Sequence, residues 1–203
     1  MLEKLPFSSR KLELIANIIS RCFDIDVVVT ILLFICFFYA RNSTHNPFLW
    51  LMIGLGILVV IPVVAALYLV KTKRVSDWDL SIRRERIEFI SLETIARLGL
   101  LLLASAFNAP MIFKVTFLIL FAIEFVFSFI TMFWKISVHA QLTTLLICYS
   151  VVFGGWKFAF TLIFLPLIFF ARLYLKKHTP AQLLAGSAVT FVMCLSILKV
   201  FGY

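Results

Sequence analysis

Long apolar runs separated by short polar breaks organise this chain. Seven such stretches can be drawn, at about 24 to 40, 48 to 70, 91 to 109, 111 to 134, 138 to 153, 156 to 175 and 180 to 202. Roughly 20 predominantly apolar residues of helix cross a bilayer's hydrocarbon core. Each run is therefore a candidate span, with the first, third and fifth short for the task, and the pattern predicts about six to seven. Only a tight turn at Ala109-Pro110 separates the third from the fourth. Residues 1 to 23 carry six charges and no long apolar run, which is not the build of a cleavable signal peptide. There Leu12, Ile15, Ile19 and Cys22, with Leu14 and Ile18 beside them, recur at helical spacing and predict an amphipathic helix lying in the membrane interface. The expected fold is all-α: a polytopic transmembrane helical bundle with an N-terminal interfacial amphipathic helix. Without an internal repeat, linker or low-complexity tract, residues 1 to 203 read as a single integral membrane domain.

Composition sharpens this picture. Of 203 residues, 63% are hydrophobic and 14% charged, 23 are phenylalanine, and the mean hydropathy is +1.09. A soluble domain of this size has no core large enough to hide so much apolar surface. The net charge of +9 has no soluble basic domain to carry it. Anionic lipid headgroups and phosphates are thus the expected partners, not nucleic acid. Cys22, Cys36, Cys148 and Cys194 are scattered, with no close spacing that would clamp a metal, and read as small core residues.

Seven alternating spans put the N-terminus, the 71 to 90 loop, the Trp134 to Ser137 junction and the Arg172 to Thr179 loop on one side, X. Of the 19 lysines and arginines, fourteen fall there; Arg41, Lys114, Lys157 and Lys199 fall on the opposite side, and Arg97 lies within the third run. Lysine and arginine excess marks the cytoplasmic face, so side X is expected there. Setting aside Arg83, Arg84, Arg86, Lys135 and Arg172 as candidates for chemistry still leaves nine against four.

Three clusters on side X exceed what helix ends require: "DWDLSIRRERIEF" from Asp77 to Phe89, "KISVHA" from Lys135 to Ala140, and "ARLYLKKHTPAQLLAG" from Ala171 to Gly186, set between two apolar runs. Taken singly, basic residues here snorkel to headgroups and an interfacial histidine is a satisfied polar residue. Taken together, Ser137, His139, Arg172 and His178 make a candidate phosphate site. Arg172 offers a planar fork for phosphate oxygens. Ser137 opens the fifth run, where its hydroxyl and the free N–H groups of a first helical turn would face an anion. Two histidines let one attack while the other protonates the leaving oxygen.

These residues resemble the type 2 phosphatidic acid phosphatase superfamily, the lipid phosphatases that share an active site with vanadium haloperoxidases. The family's three motifs are K-x6-R-P, P-S-G-H and S-R-x5-H-x3-D. Ala171, Arg172, His178 and Gln182 match the third in spacing, with alanine for serine and glutamine for aspartate; Ile136, Ser137, Val138 and His139 keep the serine and histidine of the second. In the first, Asp79 stands for the lysine, Arg86 for the arginine and Ile87 for the proline. The resemblance spans residues 77 to 190. It implies His178 as the nucleophile forming a phosphohistidine, and His139 as the general acid. Arg172, Arg86 and Ser137 would hold the phosphoryl oxygens, with Lys135 or Arg83 replacing the missing lysine. It also implies that no metal or other cofactor is required.

Gln182 departs from an aspartate that would stabilise the histidine's cation. The form His178, Thr179 and Gln182 is similar to that of the dolichyl diphosphate phosphatase branch, which points to a polyprenyl diphosphate. Thr179-Pro180-Ala181-Gln182 also reads as a capping box, and the two roles are compatible if the amide's two ends are shared. Glu124, near the middle of the fourth run, is expected in a hydrogen-bonded structural role, its depth matching Arg97 poorly, while Glu93 and Arg97 read as a simple i,i+4 pair. Asp77 and Asp79 form no recognised metal site, and the sequon Asn42-Ser43-Thr44 lies close to the membrane. The expected function is a membrane-embedded, metal-independent lipid phosphatase hydrolysing a polyprenyl diphosphate or phosphatidate-like lipid. The alternative is a non-catalytic protein of the same fold that binds or moves a phospholipid.

Overall fold

A computed structural model describes residues 7–75 and 83–203, with the backbone alone for 7–9 and 83–88. The described chain is a bundle of helices: α1 (Phe7–Cys22), α2 (Ile25–Ala40), α3 (Pro47–Lys71), α4 (Arg83–Ala106), α5 (Met111–Phe133), α6 (Val138–Gly154), α7 (Trp156–Tyr174) and α8 (Pro180–Val200). Among them α3, α5, α7, α8 and the Phe89–Ala106 part of α4 are long and apolar enough to cross a membrane. A sixth span results if α1 and α2, which meet at a bend of 41°, count as one broken crossing. The expected fifth span, α6, has 17 residues and falls short of that length. It sits at the centre of the bundle, buried continuously from Ala140 to Tyr149 and packed against α2, α7 and α8. A helix sheathed by protein escapes the length that lipid contact demands.

Two helices depart from regular α geometry, both beside a proline. In α3, Pro62 has no N–H for the Leu58 carbonyl and its ring crowds that turn, and the backbone widens into a π turn over Gly56–Val60. In α7, residues Trp156–Ile163 wind as a 3₁₀ helix before Phe164–Tyr174 becomes α-helical, with Pro166 in its first turn. The α6–α7 corner needs Gly155, whose φ of +82° few side chains tolerate. In α1, Leu14, Ile15 and Ile18 stay exposed while Ala16 and Ser20 are buried against the bundle. That is the expected amphipathic division, and α7 is the helix it packs against.

Buried polar side chains knit the helices. Tyr149 donates to Thr116 at 3.0 Å and Cys36 Sγ contacts the same hydroxyl at 3.0 Å, tying α6, α5 and α2 together. Between α4 and α5, Arg97 forms a close ion pair with Glu124 and a second with Glu93 at 3.5 Å, and Gln141 donates to Glu124 at 3.4 Å. Glu124 therefore has the arginine partner that its depth seemed to deny. Counted from the Asn108–Ala109 turn, Glu124 lies about four residues further into the bundle than Arg97, or roughly 6 Å. Side chains lean towards the N-terminus of their helix, and in these antiparallel helices that leans the two groups towards each other.

Removing Arg97 leaves two buried carboxyl groups without their cation. Arg97→Leu should cost about 3–5 kcal/mol, read as unfolding of the detergent-solubilised protein. Arg97→Leu combined with Glu124→Leu should be less damaging than the sum of the single changes, and strict additivity would show that the pair is not coupled.

Candidate functional site

The close approach of two helix starts builds the site. Ser137 caps α6, its Oγ accepting from the Ala140 N–H at 3.4 Å, and is fully buried. Across from it, Gly186 lies so near that a Cβ there would stand 2.7 Å from the Ser137 carbonyl oxygen. With no side chain between them, the start of α6 meets the second turn of α8, and His139 at the start of one helix and His178 just before the other come to line one cavity.

His139, Arg172 and His178 line a single cavity of about 130 Å³. Arg172 comes from the last turn of α7 and is 3% exposed, donating through Nη1 to Ser20 Oγ at 2.7 Å. His178, buried just before α8, has its Nδ1 3.3 Å from Gln182 Oε1. An amide oxygen only accepts, so Nδ1 carries the proton and the Nε2 lone pair is the basic one. The same Gln182 oxygen accepts from the Thr179 N–H at 3.0 Å, and Thr179 Oγ1 accepts from the Gln182 N–H at 3.4 Å, completing the capping box. Both expected roles of Gln182 are present, and one oxygen performs them where two ends of the amide were expected to share.

The remaining candidates are placed differently. Ser137 is occupied as a helix cap and, like Lys135, does not line the cavity. The side chains of Arg83 and Arg86, and all of Asp77 and Asp79, lie outside the described residues. Sequence reasoning missed two contributors, Ser20 and Asp24, both at the end of the N-terminal helix. Asp24 Oδ1 is 3.3 Å from His139 Nε2, and its Oδ2 accepts from Arg21 at 2.9 Å.

The rest of the cavity lining is mixed. Leu58, Val59, Pro62 and Val63, from the π turn of α3 and the residues after it, are apolar, while Asp26, Glu93 and Glu124 add carboxyl groups. Glu93 Oε1 is buried without a hydrogen-bond partner among the described residues. Comparison with family models, with curated proteins and with solved structures finds no match.

The helix contact at Gly186 offers a direct check on this geometry. Gly186→Ala forces backbone atoms apart and should cost about 1–3 kcal/mol, measured by thermal unfolding in detergent. The same stability as the parent would show that the two helix starts have room to separate.

Proposed function

We propose that this chain is a membrane-embedded lipid phosphatase of the type 2 phosphatidic acid phosphatase kind, acting on a polyprenyl diphosphate or phosphatidate-like lipid. One observation carries the reading: His139, Arg172 and His178, from three separate elements, line one cavity that apolar residues of α3 also line. A phosphoryl group needs a fixed cation, a nucleophile and an acid, and a lipid chain needs an oily surface next to them.

In this mechanism Arg172, held by Ser20, takes the phosphoryl oxygens in its fork. His178 attacks phosphorus through Nε2 while Gln182 holds Nδ1–H. As the N–P bond forms, the bond to the leaving oxygen breaks, its electron pair stays on that oxygen, and His139 supplies the proton. Water then displaces the phosphate from His178, with the neutral His139 accepting water's proton. Gln182 orients the nucleophile without lending it a negative charge, so the phosphohistidine step relies on Arg172 and on neighbouring cations. Residues 83 to 86, at the start of α4, supply arginines at the same end of the bundle.

A second reading rests on the carboxyl groups. Asp24, Asp26, Glu93 and Glu124 share the cavity wall with one described guanidinium, Arg172. Such a balance suits a non-catalytic protein that binds or moves a zwitterionic phospholipid. The lysine and arginine bias supports a cytoplasmic setting for the cavity's end of the bundle. A cysteine introduced at Lys177 should then resist membrane-impermeant reagent in intact cells and react after permeabilisation; labelling in intact cells would reverse the orientation.

A panel of lipid monophosphates and polyprenyl diphosphates, presented in mixed micelles with chelator present, decides between the two functions. The phosphatase reading expects phosphate release from the wild type, inhibition by vanadate, and loss of turnover in His178→Ala. Binding of the same lipids with no release from any of them would favour the carrier, and full activity in His178→Ala would overturn the mechanism.

A further inference from the structure

Asp24 stands at the N-cap of α2 with the extended backbone of a capping residue, φ −71° and ψ 162°, yet its side chain caps nothing. An aspartate in that position ordinarily accepts from the helix's second or third N–H and stabilises it. Here the carboxylate turns the other way, to His139 at 3.3 Å, a residue far along the chain on α6. Arg21 fixes its second oxygen at 2.9 Å. One turn earlier, Ser20 accepts from Arg172. The end of the N-terminal helix thus touches two of the three polar side chains that the phosphatase reading places around the phosphate.

We propose that Asp24 is the positioning residue of the general acid, its carboxylate holding His139 by Nε2–H so that the ring keeps one orientation and stays cationic until the proton is delivered. The proposal rests on the phosphatase reading. Because Asp24 retains the Nε2 proton in both states of the ring, the proton that leaves is the one on Nδ1. It passes to the leaving oxygen as the phosphorus–oxygen bond breaks, and the neutral ring remains tethered to Asp24. The negative charge beside it favours the imidazolium, keeping the acid armed towards higher pH. Other charged and titratable groups near His139 set the background: Arg21 on α1, Asp26 on α2, Glu93 on α4, Glu124 on α5, Arg172 on α7 and His178 before α8. Among the described carboxylates, Asp24 stands 3.3 Å from the ring.

This division of labour is outside the three motifs of the family that the chain resembles. It makes the N-terminal helix part of the catalytic apparatus and not just a membrane anchor. A purely structural Asp24 would leave the acid's titration where it was.

The test is the pH dependence of kcat for lipid phosphate hydrolysis in Asp24→Asn, which keeps the side chain's shape. Loss of the charge should move the alkaline limb to lower pH by about one pH unit, and Asp24→Glu should restore most of it. Arg21→Gln, an exposed change, unmasks the carboxylate and should move the same limb the other way. Because the chain has three histidines, His45, His139 and His178, imidazole NMR in detergent can follow His139 directly, its signal assigned by His139→Gln. Its titration midpoint should fall in Asp24→Asn. If Asp24→Asn does not fold, Arg21→Gln decides by the sign of its shift. A lowered kcat with an unmoved limb and an unmoved midpoint would overturn the proposal. Absence of turnover in the wild type would instead count against the phosphatase reading, while the NMR midpoint would still decide whether Asp24 governs His139.

Discussion

Everything at the polar end of this bundle depends on the contact between Gly186 and the carbonyl of Ser137. A Cβ at Gly186 would sit 2.7 Å from that oxygen, closer than real contacts allow. Glycine there lets the N-cap of α6 meet the second turn of α8, and two histidines 39 positions apart come to line one cavity. The two helix starts are also locally finished: Ser137 caps one and the Thr179–Gln182 box caps the other. A well-capped helix start holds its first side chains still. The site is thereby built on rigid elements, with the side chains of Arg172 and His139 held from a third direction by Ser20 and Asp24.

An apolar environment governs how the charges are arranged. Arg97, Glu93 and Glu124 lie within the bundle and answer one another, with Gln141 on Glu124. Such groups are tolerated inside a membrane protein when each finds a partner in the interior. At the cavity the same rule produces pairs instead of a bare cationic nest: Arg172 with Ser20, His139 with Asp24, His178 with Gln182. On the proposed reading, a phosphate entering there would meet cations and polar groups already held in place, the preorganised arrangement that a charge-developing reaction favours. The carboxyl groups that line the same cavity temper that positive field. They are the structural reason that catalysis and binding both deserve an experiment.

Much of the fold was legible in the sequence because membranes impose long apolar runs, and those runs predict the helices to within a few residues, save that α4 begins eight residues before its run. Amphipathic spacing at Leu12, Ile15 and Ile19 marked α1, and Thr179-Pro180-Ala181-Gln182 marked the start of α8. The interior of α6 was read as a span by its apolarity, although its 17 residues are enclosed by protein. Apolarity alone does not tell a lipid-facing helix from one enclosed by its neighbours. Arg97 and Glu124 were harder, since their meeting depends on the lean of side chains in antiparallel helices, which residue counting omits. Asp24 was missed for a related reason. At the head of an apolar run an aspartate reads as a helix cap, and only the three-dimensional course of α6 reveals that its carboxylate faces His139. Spacing brought out His139, Arg172, His178 and Gln182, whereas Ser20 and Asp24 carry no local signature of their role.

The central claim is that His178 becomes covalently phosphorylated during turnover. The most direct measurement is rapid quenching of the wild-type protein with a phosphate-labelled polyprenyl diphosphate, under alkaline conditions that preserve phosphohistidine, followed by peptide mass spectrometry. The account predicts a phosphoryl group on His178 that accumulates before steady state and decays as phosphate is released. Turnover without label on His178, or label on another residue, would contradict it.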